Sequence, residues 1–252
     1  MDQSLFQFLP EFDPRHAKPE KACIKKLMFN DYGDKIMSSN NEGSLFVYQL
    51  DCQSRQMNKV PIFSLYENVD SKISDFDLVN SDNLICTISQ KQKTVKVYDT
   101  LLPYSFGKQA LAMEFKLKEA TGNLVLANRR KQTLYTFNGR TGAMTELDMR
   151  KNLNVVNQYQ LSKSEEVTAV CLNSREDTLV TGYKDGTVKI HSVDKYYEAV
   201  ATPQKQLYQR ESIDAFPLSG GKKGVVQRIK IHRGGLYASS QSGYLKLLRP
   251  NV

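Results

Sequence analysis

One pattern returns five times along this chain. An apolar strand is followed by a second short strand, a tight polar turn, and a third strand that ends on an aromatic or bulky residue. The clearest copy is VTAVCLNSREDTLVTGYKDGTVKIHSVD, from Val167 to Asp194, and fainter copies start near Cys23, Ile73, Leu111 and Val226. The closing residues are Tyr48, Tyr98, Phe137, His191 and Leu248, each about 22 to 26 residues beyond its opening one. A fixed internal length with variable spacers is the mark of stacked sheets, because a lone three- or four-stranded sheet cannot bury both of its faces.

The pattern predicts an all-β chain, a β-propeller with about five to six recognisable blades. At about 40 to 45 residues per blade, the 252 residues hold about six. The chain is then a small propeller or, the reading favoured here, the larger part of a ring completed by another segment or chain. Residues 1–20, with Pro10, Pro14 and Pro19, read as an extended lead-in whose stretch Leu5-Phe6-Gln7-Phe8-Leu9 is suited to add a ring-closing strand. The propeller domain occupies residues 21–252.

Within the repeats, Asn41-Glu42-Gly43-Ser44 supplies a turn glycine of the kind a tight hairpin requires. VPIFSLYE reads as the outer strand of the first blade. The spacer LLPYSFGKQ is short, so the second blade is expected to have three strands. The third copy has Arg129-Arg130-Lys131-Gln132 in place of an Asp-Gly turn, the fourth has Lys184-Asp185-Gly186, and the fifth has Ser242-Gly243. Small residues in the second strands (Ser38, Ser39, Ser89, Ala127, Gly182, Ser239, Ser240) fit a crowded stack.

Catalysis finds no support. No nucleophile, base and orienting group can be assembled from spacing, and His191 reads as a packing residue in the aromatic position rather than a base. Ser219-Gly220-Gly221-Lys222-Lys223-Gly224 resembles a phosphate loop, yet Val225 follows where Ser or Thr is needed, and a strand follows where a helix is needed. Cys23, Cys52, Cys86 and Cys171 stand singly, which argues against a disulfide framework or a zinc site and for a reducing compartment. No cofactor or metal site is expected. No apolar run approaches the ~18 residues of a membrane span, and the acidic start MDQSLFQFLPEF does not read as a signal peptide.

The formal charge of +8 favours an acidic partner, either a protein face or an anionic membrane. Nucleic acid is not expected, for want of a stacking platform. Candidate contacts are Arg129, Arg130 and Lys131 on one turn, Tyr183, Lys184 and Asp185 on another, and Lys222 and Lys223 in the basic loop.

TLVTGYKDGTVKIHSVD (Thr178 to Asp194) and TVKVYDT (Thr94 to Thr100) resemble WD repeats, although the chain contains no tryptophan. SDNLICTISQ…TVKVYDTLLP, NLVLANRRKQTLYTFN and GVVQRIKIHRGGLYASSQSGYLKLLRP together resemble the C-terminal WD-repeat region of the DmX-like proteins, or rabconnectins. That resemblance implies a cytoplasmic scaffold, peripheral on the cytosolic face of acidic endomembranes. It further implies a complex with a large helical companion that promotes assembly of the vacuolar-type proton pump. The alternatives are a basic propeller that docks on phosphoinositide membrane, or a scaffold of a trafficking, ciliary or respiratory assembly.

Overall fold

The computed structural model describes residues 23–248 apart from 52, 54–55, 59, 66–71, 81–82, 90, 103–109, 118–121, 163–164, 194–206, 210–213, 218–224, 233–234 and 241–244. The lead-in, Lys222, Lys223 and the Ser242-Gly243 turn therefore lie outside the described residues. The chain divides into two compact units, Met1–Lys116 and Leu117–Val252. Among the described residues the regular structure is β-strand, apart from one 3₁₀ turn at Met149–Lys151.

The first unit holds two antiparallel sheets. One is built on β1 (Ile24–Phe29), β2 (Lys35–Asn40) and β3 (Leu45–Asp51). Along the far edge of β3 lie β4 (Gln56–Met57) and β5 (Phe63–Leu65). The VPIFSLYE segment thus supplies β5. The other sheet runs β6 (Ile73–Leu78), β7 (Leu84–Ser89), β8 (Thr94–Asp99), β9 (Leu111–Lys116) in sequence order. Met37, Leu45, Val47, Phe63 and Leu65 of the first sheet pack on Ile73, Phe76, Leu78, Ile85 and Tyr98 of the second. The Lys26 ammonium bridges the same two sheets, donating to Asp75 Oδ1 at 2.9 Å and to the Phe76 carbonyl at 2.6 Å. Burial alone would lower its pKa, but Asp75 and Asp77 outweigh that and hold it above the ordinary value.

The second unit holds three sheets among the described residues. Its first runs β10 (Leu124–Asn128), β11 (Thr133–Asn138), β12 (Ala143–Asp148), β13 (Asn154–Gln160), with a short parallel strand on its edge. The next is β14 (Val167–Leu172), β15 (Thr178–Tyr183) and β16 (Thr187–Ser192). The short parallel strand on β13 is β17 (Leu207–Gln209), and β18 (Asp214–Pro217) completes the β14–β16 sheet. A last sheet joins β19 (Val226–His232), β20 (Gly235–Ser240) and β21 (Leu245–Leu248).

Apolar side chains again lie between neighbouring sheets. Tyr135, Phe137, Met144 and Tyr159 meet Leu179 and Val193, and Ala169, Val180 and Val188 meet Val226, Ile229 and Ala238. Gly182 shows how close the latter stack is, since a Cβ there would lie 2.5 Å from Val226 Cγ1.

Two expectations are corrected. Leu111–Lys116 is the fourth strand of the second sheet, paired with β8, so that sheet has four strands and not three. The third repeat accordingly opens at Leu124, one strand later than its apolar pattern suggests, and Ala127 belongs to a first strand. Arg129–Gln132 is then the first turn of its sheet. Its second turn, the counterpart of Lys184-Asp185-Gly186, is the Gly139–Gly142 segment.

A recurring asparagine marks this frame. Asn30, Asn80, Asn128 and Asn173 each follow or end a first strand. Each folds its side-chain oxygen onto amides of the first turn: Lys35; Asn83 and Leu84; Lys131; Asp177 and Thr178. A side chain that accepts these bonds satisfies turn amides that have no ladder partner.

Candidate functional site

In an antiparallel meander the first and third turns share one end of the sheet, and the second turn lies at the other. The candidates on the second unit therefore divide. Arg129, Arg130 and Lys131 sit at the first-turn end of the β10–β13 sheet, whereas Tyr183, Lys184 and Asp185 sit at the second-turn end of the β14–β16 sheet. They do not form one surface.

The second-turn end is charge-balanced. Lys184 Nζ lies 2.9 Å from Glu166 Oε2, and Lys189 Nζ lies 2.7 Å from Glu165 Oε2. Asp185 is occupied by Thr187, accepting from its amide and its hydroxyl, each at 2.9 Å. Tyr183 departs from the expectation of a contact residue, because its side chain is fully buried. Burial pushes its phenol up to about 12, and the ring serves instead as a seat for the Lys189 ammonium, 4.7 Å from its centroid.

The first-turn end is built from turns of both sheets. The Asn128 side chain donates to the Glu176 carbonyl at 2.9 Å, and Glu176 Oε2 accepts the Arg130 amide at 2.7 Å. Lys131 Nζ reaches the Val193 carbonyl at 3.1 Å. The Met149 amide donates to the Gln132 carbonyl at 3.1 Å, which joins the third turn, with Arg150 and Lys151, to the first.

Charge is sorted by depth here. Arg130, Arg150, Lys151 and Arg175 are exposed, whereas Asp148 is buried and Glu176 and Asp177 are half-buried. Bonds from Arg150 hold the Asp148 carboxyl below its ordinary range, and Asn173 and Thr178 do the same for Asp177. The sequence pointed to Arg129–Lys131 but not to Arg150, Lys151 or Arg175, which join them only through this folding. The recurring asparagine, which fixes the turns, was the available signal.

His191 is fully buried, with Nε2 3.0 Å from Thr181 Oγ1. The described residues hold no group of three His, Cys, Asp or Glu side chains that could bind a metal, and no helix long and apolar enough to cross a membrane.

No family model matches the chain. DmX-like protein 1 of Mus musculus is 27% identical over 179 residues, which are 69% of this chain and 6% of that protein. The Homo sapiens protein of the same name is likewise 27% identical over 179 residues. The chain thus spans about 6% of the length of the curated relatives it matches. Among solved structures, the β-propeller domain of Cps50 (Swd1) from Myceliophteria thermophila matches with a TM-score of 0.62 at 15% identity. That match covers 90% of this chain and 66% of the other. The fold is therefore an all-β β-propeller, and in sequence the chain resembles DmX-like protein 1.

Proposed function

We propose that this chain is a non-catalytic scaffold that binds other proteins, a propeller subunit of a DmX-like complex regulating assembly of the vacuolar-type proton pump. The observation that carries the reading is the similarity to DmX-like protein 1 across 69% of a chain with propeller fold. The architecture supports it. Turns held by asparagine side chains on packed sheets present exposed residues from a rigid frame, which suits recognition better than chemistry. In this reading the partners are the pump's sectors and a large helical companion, met on the cytosolic face of acidic endomembranes.

The test is affinity purification of the tagged chain from its own cells at low salt, read by quantitative mass spectrometry. Pump sectors recovered with a large helical protein are the expected result. A different assembly would leave the scaffold standing and remove the pump. Recovery of no polypeptide at all would remove both.

A further inference from the structure

We propose that the first-turn end of the second unit binds an acidic segment of a partner protein that also carries large apolar side chains. The proposal rests on the scaffold reading and names the surface and chemistry of one of its contacts. The exposed charged side chains Arg130, Arg150, Lys151 and Arg175 are all cationic, while the neighbouring carboxylates are drawn into hydrogen bonds of the turns. Arg150 is paired with Asp148, yet among the described residues this end holds six cations, Arg129, Arg130, Lys131, Arg150, Lys151 and Arg175, against the three carboxylates Asp148, Glu176 and Asp177, an excess of positive charge. At the opposite end the described cations Arg140, Lys184 and Lys189 are matched in number by Glu165, Glu166 and Asp185, with Lys184 on Glu166 and Lys189 on Glu165.

Anionic membrane and nucleic acid also seek cations, and a second feature favours protein over both. Val155 and Val156, immediately beyond the Arg150–Lys151 turn, are 45% and 47% exposed. They lie on β13, whose outer edge is covered by β17 only at Gln158–Gln160. No described strand pairs with that edge along Asn154–Asn157. The ladder with β12 skips Val156, a bulge that blunts the edge against addition of a long strand. Contact through side chains is what remains. Phosphate groups gain nothing from two exposed valines on a strand, whereas a peptide that alternates carboxylates with leucine matches both features.

The experiment measures fluorescence anisotropy of the full chain with a labelled glutamate–leucine peptide. The comparisons are an all-glutamate peptide, vesicles of phosphatidylcholine with phosphatidylserine, and single-stranded DNA. The glutamate–leucine peptide is expected to bind tightest, and more weakly as salt rises. Lys151→Glu with Arg175→Glu should weaken it about tenfold, and the milder Lys151→Gln with Arg175→Gln about threefold. Val155→Ser with Val156→Ser should remove the preference over the all-glutamate peptide, and Lys184→Glu at the other end should change nothing. Unchanged binding in a charge variant that melts like the parent would overturn the proposal, as would tighter binding to vesicles or DNA. The same charge variants in the affinity purification separate the two ideas. Partners retained by all variants would leave the scaffold and remove this surface.

Discussion

Thr181 and His191 face one another across β15 and β16, Oγ1 to Nε2 at 3.0 Å, and both side chains are fully buried. The histidine stands where the first two repeats close on Tyr48 and Tyr98, so it packs and bonds at once. His191→Phe keeps the packing but removes the bond, and the expected loss is about 1–2 kcal/mol. The urea midpoint reads it, and an unchanged midpoint would mean that packing alone matters at this position.

Gly33 and Gly43 both adopt left-handed backbone, with φ of 72° and 89°, but their surroundings differ. A Cβ on Gly33 meets nothing within 4 Å, whereas on Gly43 it would lie 2.6 Å from Lys72 Cα. Gly33→Ala should cost about 1 kcal/mol, the backbone term alone. Gly43→Ala adds a clash with backbone and should cost at least twice as much, about 2–4 kcal/mol. Equal melting temperatures for the two variants would refute the crowding.

Glu146 is 3% exposed, and its Oε2 accepts from Tyr159 Oη at 2.8 Å and Asn157 Nδ2 at 3.1 Å. If its role is to accept those bonds, charge is dispensable. Glu146→Gln should change stability by less than about 1 kcal/mol, and Glu146→Leu, which strands the buried Tyr159 hydroxyl, should cost about 1–3 kcal/mol. Chemical denaturation of the two variants tells them apart, and equal losses would point to the charge itself.

The chain should lose stability as the solution becomes alkaline. Burial pushes the Cys171 thiol up to about 12 and the Cys86 thiol well up, and Tyr183 rises to about 12. The unfolded chain releases these protons first, from about 9.0 for a thiol. Above that pH it binds fewer protons than the folded chain, so stability falls. Lys26, raised from 10.5 by its carboxylate neighbours despite burial, adds to the loss as pH climbs through its folded pKa. Urea midpoints taken from roughly pH 8 to roughly pH 11 should fall, and Cys86→Ala with Cys171→Ala should flatten the slope. A parent midpoint flat across that range would contradict this account.

Much of the fold is legible wherever turn and strand signals agree. Gly43 and Gly186 mark their hairpins, and the alternation in Val188-Lys189-Ile190 marks a strand. The third repeat misleads because LAMEFK alternates like an opening strand when it is in fact the half-exposed outer strand β9. Apolar periodicity cannot tell a first strand from a fourth, but Asn128, aligned with Asn30, Asn80 and Asn173, does. The site is harder to read. Arg130 meets Glu176 across 46 residues, and no local pattern announces which charges that contact turns inward.

The uneven burial of charge at the two ends of the β10–β16 sheets has a consequence before any partner touches them. Among the described residues cations outnumber carboxylates at one end and are matched by them at the other, which favours an electric dipole along these strands. An acidic body diffusing past is rotated toward the cationic end while still about a Debye length away, ~8–10 Å at physiological salt. The arrangement selects the orientation of an encounter as well as its strength, and it loses that selectivity first when salt rises.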